Sequence, residues 1–209
     1  MELSLLISFI GASVLLTLMP GPDIIFVLTE SLTKGQRNGI AVSSGLASGI
    51  LVHTTAAATG ISLLIQNSAI AFSILKYMGA AYLFYMAYGS LKEKQPVVEQ
   101  IAEAATSEKS FFQLMRKGFL MNVLNPKVSL FFIAFLPQFV SKTGFHVAFQ
   151  MIIMGAVFMV QAFLIFSLVS VLSGKLSSYL NSSRFWKITK WSKISVLSAL
   201  GLTLLLARK

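Results

Sequence analysis

Long apolar segments are the feature that most constrains what this chain of 209 residues can fold into. They are Leu3–Leu28, Gly39–Ile65, Ile70–Leu91, Phe119–Val140, Val147–Leu172 and Ile194–Ala207. A helix that crosses the hydrocarbon core of a bilayer needs about 20 apolar residues, and the first five segments meet that length. Charged residues make up only 11% of the chain, against roughly 25% in soluble domains. We therefore predict an all-α polytopic membrane protein, a single transmembrane domain over residues 1–209 with about six transmembrane helices.

The sixth segment is the weakest, with only 14 apolar residues. It spans the membrane if Lys190 and Lys193 extend their ammonium groups to the interface and Trp186 and Trp191 lie there. The alternative is that the segment lies partly in the interface. We favour a spanning helix.

Basic residues are concentrated in alternate loops. With the N-terminus outside, the inside loops carry 12 Lys and Arg residues and the outside carries 3. Since Lys and Arg accumulate on the cytoplasmic side, both termini are predicted outside, and residues 92–117 are predicted to be a cytoplasmic linker. The middle of this linker also fits a short amphipathic helix. Topology thus explains the net charge of +10, which argues against nucleic acid as a partner.

Two of the apolar segments are interrupted by proline. The first contains Pro20, Gly21, Pro22 and Asp23, and the fourth contains Asn125, Pro126 and Lys127. Pro22 and Pro126 are 104 residues apart, half the chain length. Three helices in each half would invert the second half relative to the first, as in many secondary transporters. We predict two inverted three-helix repeats, residues 1–91 and 118–209.

Several motifs, taken together and in this order, resemble the LysE/RhtB family of bacterial amino-acid exporters. The motifs are Pro20-Gly21-Pro22-Asp23, a helix with Gly39, Gly45, Gly49 and His53, the run from Lys76 to Leu83, the block Gly118 to Lys127, and Phe135-Leu136-Pro137-Gln138-Phe139. The resemblance implies a multi-pass protein of the bacterial inner membrane that exports amino acids or close derivatives, driven by a proton or ion gradient. It is closest to the RhtB-like branch, whose substrates include homoserine, threonine and leucine. It implies no cofactor, and a homodimer is compatible with it.

The two proline breaks are the candidate substrate site. A proline inside a helix removes a backbone hydrogen bond, and the freed carbonyl must find another partner inside the membrane. Freed carbonyls suit an ammonium group, and helix N-termini suit a carboxylate. Prolines that only kink helices for packing are the alternative.

Asp23 and Lys127 are the charged candidates. A charge at the centre of a membrane helix costs about 2.5–3.5 kcal/mol on insertion scales, so Asp23 is predicted to receive the substrate amine or carry the coupling proton. A helix-capping role is the alternative. Lys127 occupies the equivalent position in the second half, and we predict that both face one cavity. The alternative for Lys127 is a side chain that extends along its helix to the interface.

Uncharged and peripheral candidates follow from the same segments. Asn122 and Asn125 share one helix face and either bind substrate or hold helices together, and Gln161 is a weaker case of the same kind. His53 is a proton-relay candidate, although a hydrogen-bonded packing role is favoured. Glu30 is a coupling candidate, although a solvated carboxylate at the inner interface is favoured.

Competing functions are an intramembrane enzyme, a channel or scaffolding subunit, and an exporter of another small solute or metal ion. The sequence contains no metalloprotease or serine-hydrolase motif, which argues against an enzyme. The absence of cysteine disfavours soft metals, and a single histidine in the membrane segments predicts no metal site. We predict a secondary-active amino-acid exporter.

Overall fold

The computed structural model describes residues 2–61, 69–93, 110–141, 144–175 and 182–206. Within these ranges every regular element is helical. The α-helices are α1 (Leu3–Leu18), α2 (Pro22–Lys34), α3 (Gln36–Ala56), α4 (Ala69–Lys92), α5 (Phe111–Val123), α6 (Pro126–Leu130), α7 (Val147–Val171) and α8 (Ser183–Leu206). A π-helical turn, Ala57–Ile61, follows α3, and a π-helical turn and a 3₁₀ turn, Phe131–Phe135 and Leu136–Phe139, extend α6. The prediction of an all-α polytopic membrane protein is confirmed.

The two proline motifs break their helices as predicted. The axes of α1 and α2 differ by 57°, and the axis of α5 differs by 49° from that of the Pro126–Phe139 segment. Pro22 and Pro126 each occupy the first turn of the helix that follows the break, where a missing N–H costs nothing because that group would be unpaired anyway. Each segment is therefore two half-helices that meet at an angle.

Four spans are supported by length and apolar character in the described ranges. Gln36–Gly60 and α7 are each long and apolar enough to cross a membrane alone, and each bent pair adds one span. The helices α4 and α8 have 24 residues each, which corresponds to about 36 Å at 1.5 Å per residue. The total of six spans and the inverted repeat stay predictions.

Two helices begin earlier than the apolar pattern indicates. Helix α8 starts at Ser183 rather than Ile194, so that Lys187, Lys190 and Lys193 lie on the helix itself. Helix α5 starts at Phe111, capped by reciprocal hydrogen bonds between Ser110 and Gln113, and so extends into the segment predicted as linker. The middle of that linker, residues 94–109, lies outside the described residues.

Helix α3 lies at the centre of the fold and packs against α2, α5 and α7, whereas α4 packs mainly on α8. Glycines allow α3 and α5 to approach closely. A Cβ atom added at Gly45 would lie 1.9 Å from the Met115 carbonyl oxygen, and one at Gly118 would lie 2.4 Å from that of Val42. Such contacts of small residues are typical of membrane helix pairs. They hold the second break against the middle of α3.

Candidate functional site

Asp23 and Lys127 lie together in the interior. Each is the second residue of the half-helix that follows its break, and their side chains are only 3% and 7% exposed. Both line one small cavity of about 10 Å³, together with Leu16, Thr17 and Asn122 among others. That volume is roughly the space that one water needs. Both residues belong to the described part of the chain, and no direct ion pair joins them.

Lys127 binds the carbonyl that the first break sets free. In a continuous helix the N–H of residue 20 would donate to the carbonyl of residue 16, but proline has no N–H. The Leu16 carbonyl instead accepts a hydrogen bond of 3.1 Å from the Lys127 ammonium. Because Lys127 belongs to the second half of the chain, this contact ties the two breaks to each other.

The second break also frees a carbonyl, which is bound by different donors. Pro126 cannot donate to the Asn122 carbonyl, four residues earlier. That carbonyl instead accepts from the Asn125 backbone N–H at 2.9 Å and from His53 Nε2 on α3 at 3.1 Å, so Nε2 carries the hydrogen. The imidazole also stacks on Phe132, with 5.7 Å between ring centroids. His53 thus lies in the packed, hydrogen-bonded environment that the sequence favoured.

Asn125 connects the two halves. Its side-chain oxygen accepts from the Lys127 backbone N–H at 3.0 Å, which caps α6, and its amide nitrogen donates to Asp23 Oδ2 at 2.7 Å. One amide therefore fixes the start of the second half-helix and positions the carboxylate of the first.

Hydrogen-bond acceptors without partners surround the cavity. Asp23 Oδ1, Asn122 Oδ1 and Gln161 Oε1 are buried and have no hydrogen-bond partner among the described residues. Gln161 lies beside the cavity, where its amide nitrogen donates to Thr17 Oγ1 at 2.9 Å. A buried acceptor left unpaired costs about 1–3 kcal/mol. The cavity is therefore suited to a ligand that brings several N–H donors, such as a primary ammonium group.

Glu30 does not lie where the sequence favoured it. Its side chain is 1% exposed and its Oε2 atom has no partner among the described residues, so the interpretation as a solvated interfacial carboxylate is wrong. The hydropathy pattern misplaced it because Glu30 lies near the end of an apolar segment, whereas α2 continues to Lys34 and packs against α3 and α7. Glu30 does not line the cavity with Asp23.

A second, larger cavity adjoins the first break. This cleft of about 480 Å³ lies between the start of α2 and the first half of α8, and Pro20, Gly21 and Pro22 form part of its wall. Of the predicted site residues, Asp23, Asn122 and Lys127 line the buried cavity, and the residues of the first break line the cleft. The other predicted residues line neither: His53, Glu30, Asn125, Pro126 and Gln161. Sequence reasoning missed Leu16, although counting four residues back from Pro20 would have identified its freed carbonyl.

Comparison with known proteins supports a transport role. The chain is 30% identical over 189 residues to the uncharacterized membrane protein YrhP of Bacillus subtilis, covering 88% of this chain and 90% of the relative. It is 28% identical to an uncharacterized membrane protein of Vibrio cholerae, over 99% and 98% of the two chains. No solved structure matches. The sequence model of the LysE type translocator family matches residues 14–208. Members of that family move amino acids or related solutes across membranes, and this bacterial-type membrane protein belongs to it.

Proposed function

We propose that this protein is a secondary-active exporter of amino acids or close derivatives in the bacterial inner membrane, and that the buried cavity between the two breaks is its substrate site. One observation carries the proposal. A carboxylate and an amide, each with an unpartnered acceptor oxygen, face the same cavity as an ammonium group. This combination is complementary to the two charged ends of an amino acid.

The zwitterion would bind with its charges matched. Its ammonium group donates to Asp23 Oδ1 and Asn122 Oδ1, which have no other partner. Its carboxylate accepts from Lys127, whose ammonium has three donors and uses one on the Leu16 carbonyl. A buried charge is tolerated when it is paired and hydrogen-bonded, so the bound complex stays neutral overall.

The described conformation is closed around this site. A cavity of about 10 Å³ has no room for an amino acid, so the half-helices must separate for substrate to enter. The bends of 57° and 49° lie directly beside the cavity. In transporters with broken helices, one bundle rocks against the other around a central site. We assign that movement to the half-helices of the first break, with the second break as the support against which they move.

Proton coupling would follow from competition at Asp23. The carboxylate either holds the substrate ammonium or accepts a proton, because a protonated carboxyl group no longer attracts a cation strongly. If Asp23 must hold either the substrate or a proton whenever the protein changes conformation, the protein exchanges protons for substrate. Intramembrane carboxylates serve as proton carriers in many pumps and transporters.

Efflux from cells loaded with dipeptides tests the site. Hydrolysis of leucine-, threonine- or homoserine-containing dipeptides raises the internal amino acid, and its release is followed for wild type and Asp23→Asn. We expect the variant to lose at least about 100-fold in rate, which corresponds to about 2.7 kcal/mol. Glu2→Gln removes an exposed carboxylate from the residue directly before α1 and serves as the charge-matched control. Unchanged efflux from Asp23→Asn at equal membrane abundance would remove Asp23 from the mechanism.

A channel is the alternative that the same assay separates. An exporter shows saturable flux and counterflow, in which external unlabelled substrate drives exit of labelled substrate. A channel shows neither. The closed cavity favours the exporter.

A further inference from the structure

We infer that the cleft beside the first break is an inward-facing loading site, which binds the carboxylate of the exported solute before the solute reaches the buried cavity. The inference rests on the proposed function and extends it by a second binding site and by a residue, Gly21, that separates the two.

The cleft has the size of a ligand site. Its volume of about 480 Å³ falls within the range of roughly 300–1,000 Å³ that is typical of small-molecule pockets. One wall comes from the first break and Ile25, and the other from Trp186 and Thr189 on α8. An apolar indole and isoleucine beside polar groups suit an amphipathic solute.

The charges of the cleft select an anion. Among the described residues, its charged lining consists of three lysines, Lys187, Lys190 and Lys193, and one carboxylate, Glu93. Lys190 donates to the backbone carbonyls of Leu91 and Glu93. Lys193 already holds a carboxylate, because its ammonium lies 2.5 Å from Glu93 Oε1.

This ion pair indicates how a solute would bind. The Glu93 side chain is 54% exposed and that of Lys193 only 15%, so the carboxylate is the partner that can leave while the lysine stays in place. Lys187 is exposed and has no partner among the described residues. A solute carboxylate can therefore replace Glu93 on Lys193 and gain Lys187 as a second contact.

Gly21 separates the cleft from the buried site. It lines the cleft, and a Cβ atom added to it would lie 3.9 Å from the Lys127 ammonium nitrogen. Its backbone is extended, with φ −165° and ψ −175°, a conformation that any residue adopts. The missing side chain is thus not required by the backbone. What it leaves open is the space between the cleft and Lys127.

The predicted topology places the cleft on the side from which an exporter takes its substrate. Lys187, Lys190 and Lys193 belong to the basic residues predicted on the cytoplasmic side. The next cation available to a carboxylate held by these lysines is Lys127, which lies on the other side of Gly21 from the cleft. We therefore assign a path from Lys187 and Lys193 to Lys127.

Uptake into everted membrane vesicles tests the loading site, because the cytoplasmic face is then outside. The half-saturating concentration of labelled leucine, threonine or homoserine is measured for wild type, Lys187→Gln and Lys193→Gln. We expect an increase of about 5-fold for either variant, the effect of losing about 1 kcal/mol of ion-pair energy, with the maximal rate unchanged. Arg184→Gln removes one charge from an exposed residue of α8 that does not line the cleft, and should leave the half-saturating concentration at its wild-type value.

A lipid headgroup offers the same anionic chemistry as a solute carboxylate, so the vesicle composition separates the two sources. The measurement is repeated in proteoliposomes of pure phosphatidylcholine and of phosphatidylcholine with phosphatidylglycerol. An effect of Lys187→Gln and Lys193→Gln in both membranes supports the loading site. An effect confined to the anionic membrane assigns the cleft to lipid and overturns the inference.

Gly21 gives an independent test in the same vesicles. Gly21→Leu should fill the gap and reduce the maximal rate at least about 10-fold. Gly89→Leu, at an exposed position of α4 where nothing lies within 4 Å of an added Cβ atom, should transport at close to the wild-type rate. Equal rates for both variants would contradict the path. Wild-type vesicles without saturable uptake would overturn the proposed function itself. Saturable uptake that is insensitive to Lys187→Gln, Lys193→Gln and Gly21→Leu would overturn only the loading site.

Discussion

The two helix breaks differ in how they are held. The second break is capped from within, because the Asn125 side chain accepts from the Lys127 backbone N–H, and it lies against α3 through His53. The first break has no side-chain cap at Gly21, and its freed Leu16 carbonyl depends on an ammonium from the other half.

The difference extends to their surroundings. The second break faces the packed interior, whereas the first borders a cleft of about 480 Å³. Since a segment with fewer internal bonds opens at lower free energy, we propose that the first break moves and that the second is the support against which it moves.

Replacing Lys127 by Met should have the largest effect. It removes the donor to the Leu16 carbonyl and leaves the buried Asp23 carboxylate without its nearby positive charge. Removing one of two neighbouring buried charges leaves the other uncompensated, so we expect transport to be lost and the melting temperature in detergent to fall.

The control for this variant is the double variant Asp23→Asn/Lys127→Met. It contains no buried charge, so it should melt above Lys127→Met although it still does not transport. Melting of the double variant below the single one would mean that the two charges do not interact.

Asn125→Ala should come next, because it removes both the cap of α6 and the hydrogen bond to Asp23. Loss of an N-cap costs about 0.5–2 kcal/mol, and we expect a transport rate lower by about 10-fold, equivalent to about 1.4 kcal/mol in the barrier. Asn125→Asp keeps a capping oxygen but places a second carboxylate at Asp23. If Asn125→Asp transports like wild type, the contact with Asp23 does not matter and only the cap does.

Sequence alone was sufficient for the breaks and for the meeting of Asp23 and Lys127. The breaks follow from local chemistry, because proline cannot continue the hydrogen-bond ladder. The meeting of Asp23 and Lys127 was expected from the predicted equivalence of their positions in the two halves. The partners of the freed carbonyls were not predictable in the same way. That Lys127 reaches Leu16, 111 residues away, and that His53 reaches Asn122 depend on how the helices pack.

The hydropathy pattern predicted the wrong start for a helix that carries charged residues. The first half of α8 contains three lysines, so an apolar-segment criterion begins the helix at Ile194 instead of Ser183. Glu30 was misplaced for a related reason. Its position near the end of an apolar segment indicated the interface, but α2 leaves the break at an angle of 57° to α1, and this bend directs its residues into the bundle.

Gly49→Ala tests the close contact between α3 and Asn122, which supports the second break. A Cβ atom at Gly49 would lie 2.7 Å from Asn122 Cβ and 2.8 Å from its Oδ1, so α3 and α5 must separate. Overpacking typically costs about 1–3 kcal/mol, and we expect a lower melting temperature with slower transport. Gly89→Ala on α4, where nothing lies within 4 Å of an added Cβ, is the matched control and should not destabilise the fold. Equal melting of the two variants would contradict the close packing of α3 on Asn122.

His53 should give the smallest effect, and its variants decide between support and proton relay. His53→Gln retains an N–H donor for the Asn122 carbonyl but cannot titrate. His53→Leu removes one of the two donors to that carbonyl, which keeps the Asn125 N–H, and should lose about 0.5–1.5 kcal/mol, the net contribution of one hydrogen bond. If His53 only holds the second break, the transport rate of His53→Gln stays within about twofold of wild type, equivalent to about 0.4 kcal/mol. His53→Leu is then both less stable and slower. If His53 relays the coupling proton, both variants lose proton-driven export equally while counterflow, which needs no proton, survives. Measuring counterflow and proton-driven efflux side by side therefore separates a residue that supports the immobile break from one that takes part in the exchange.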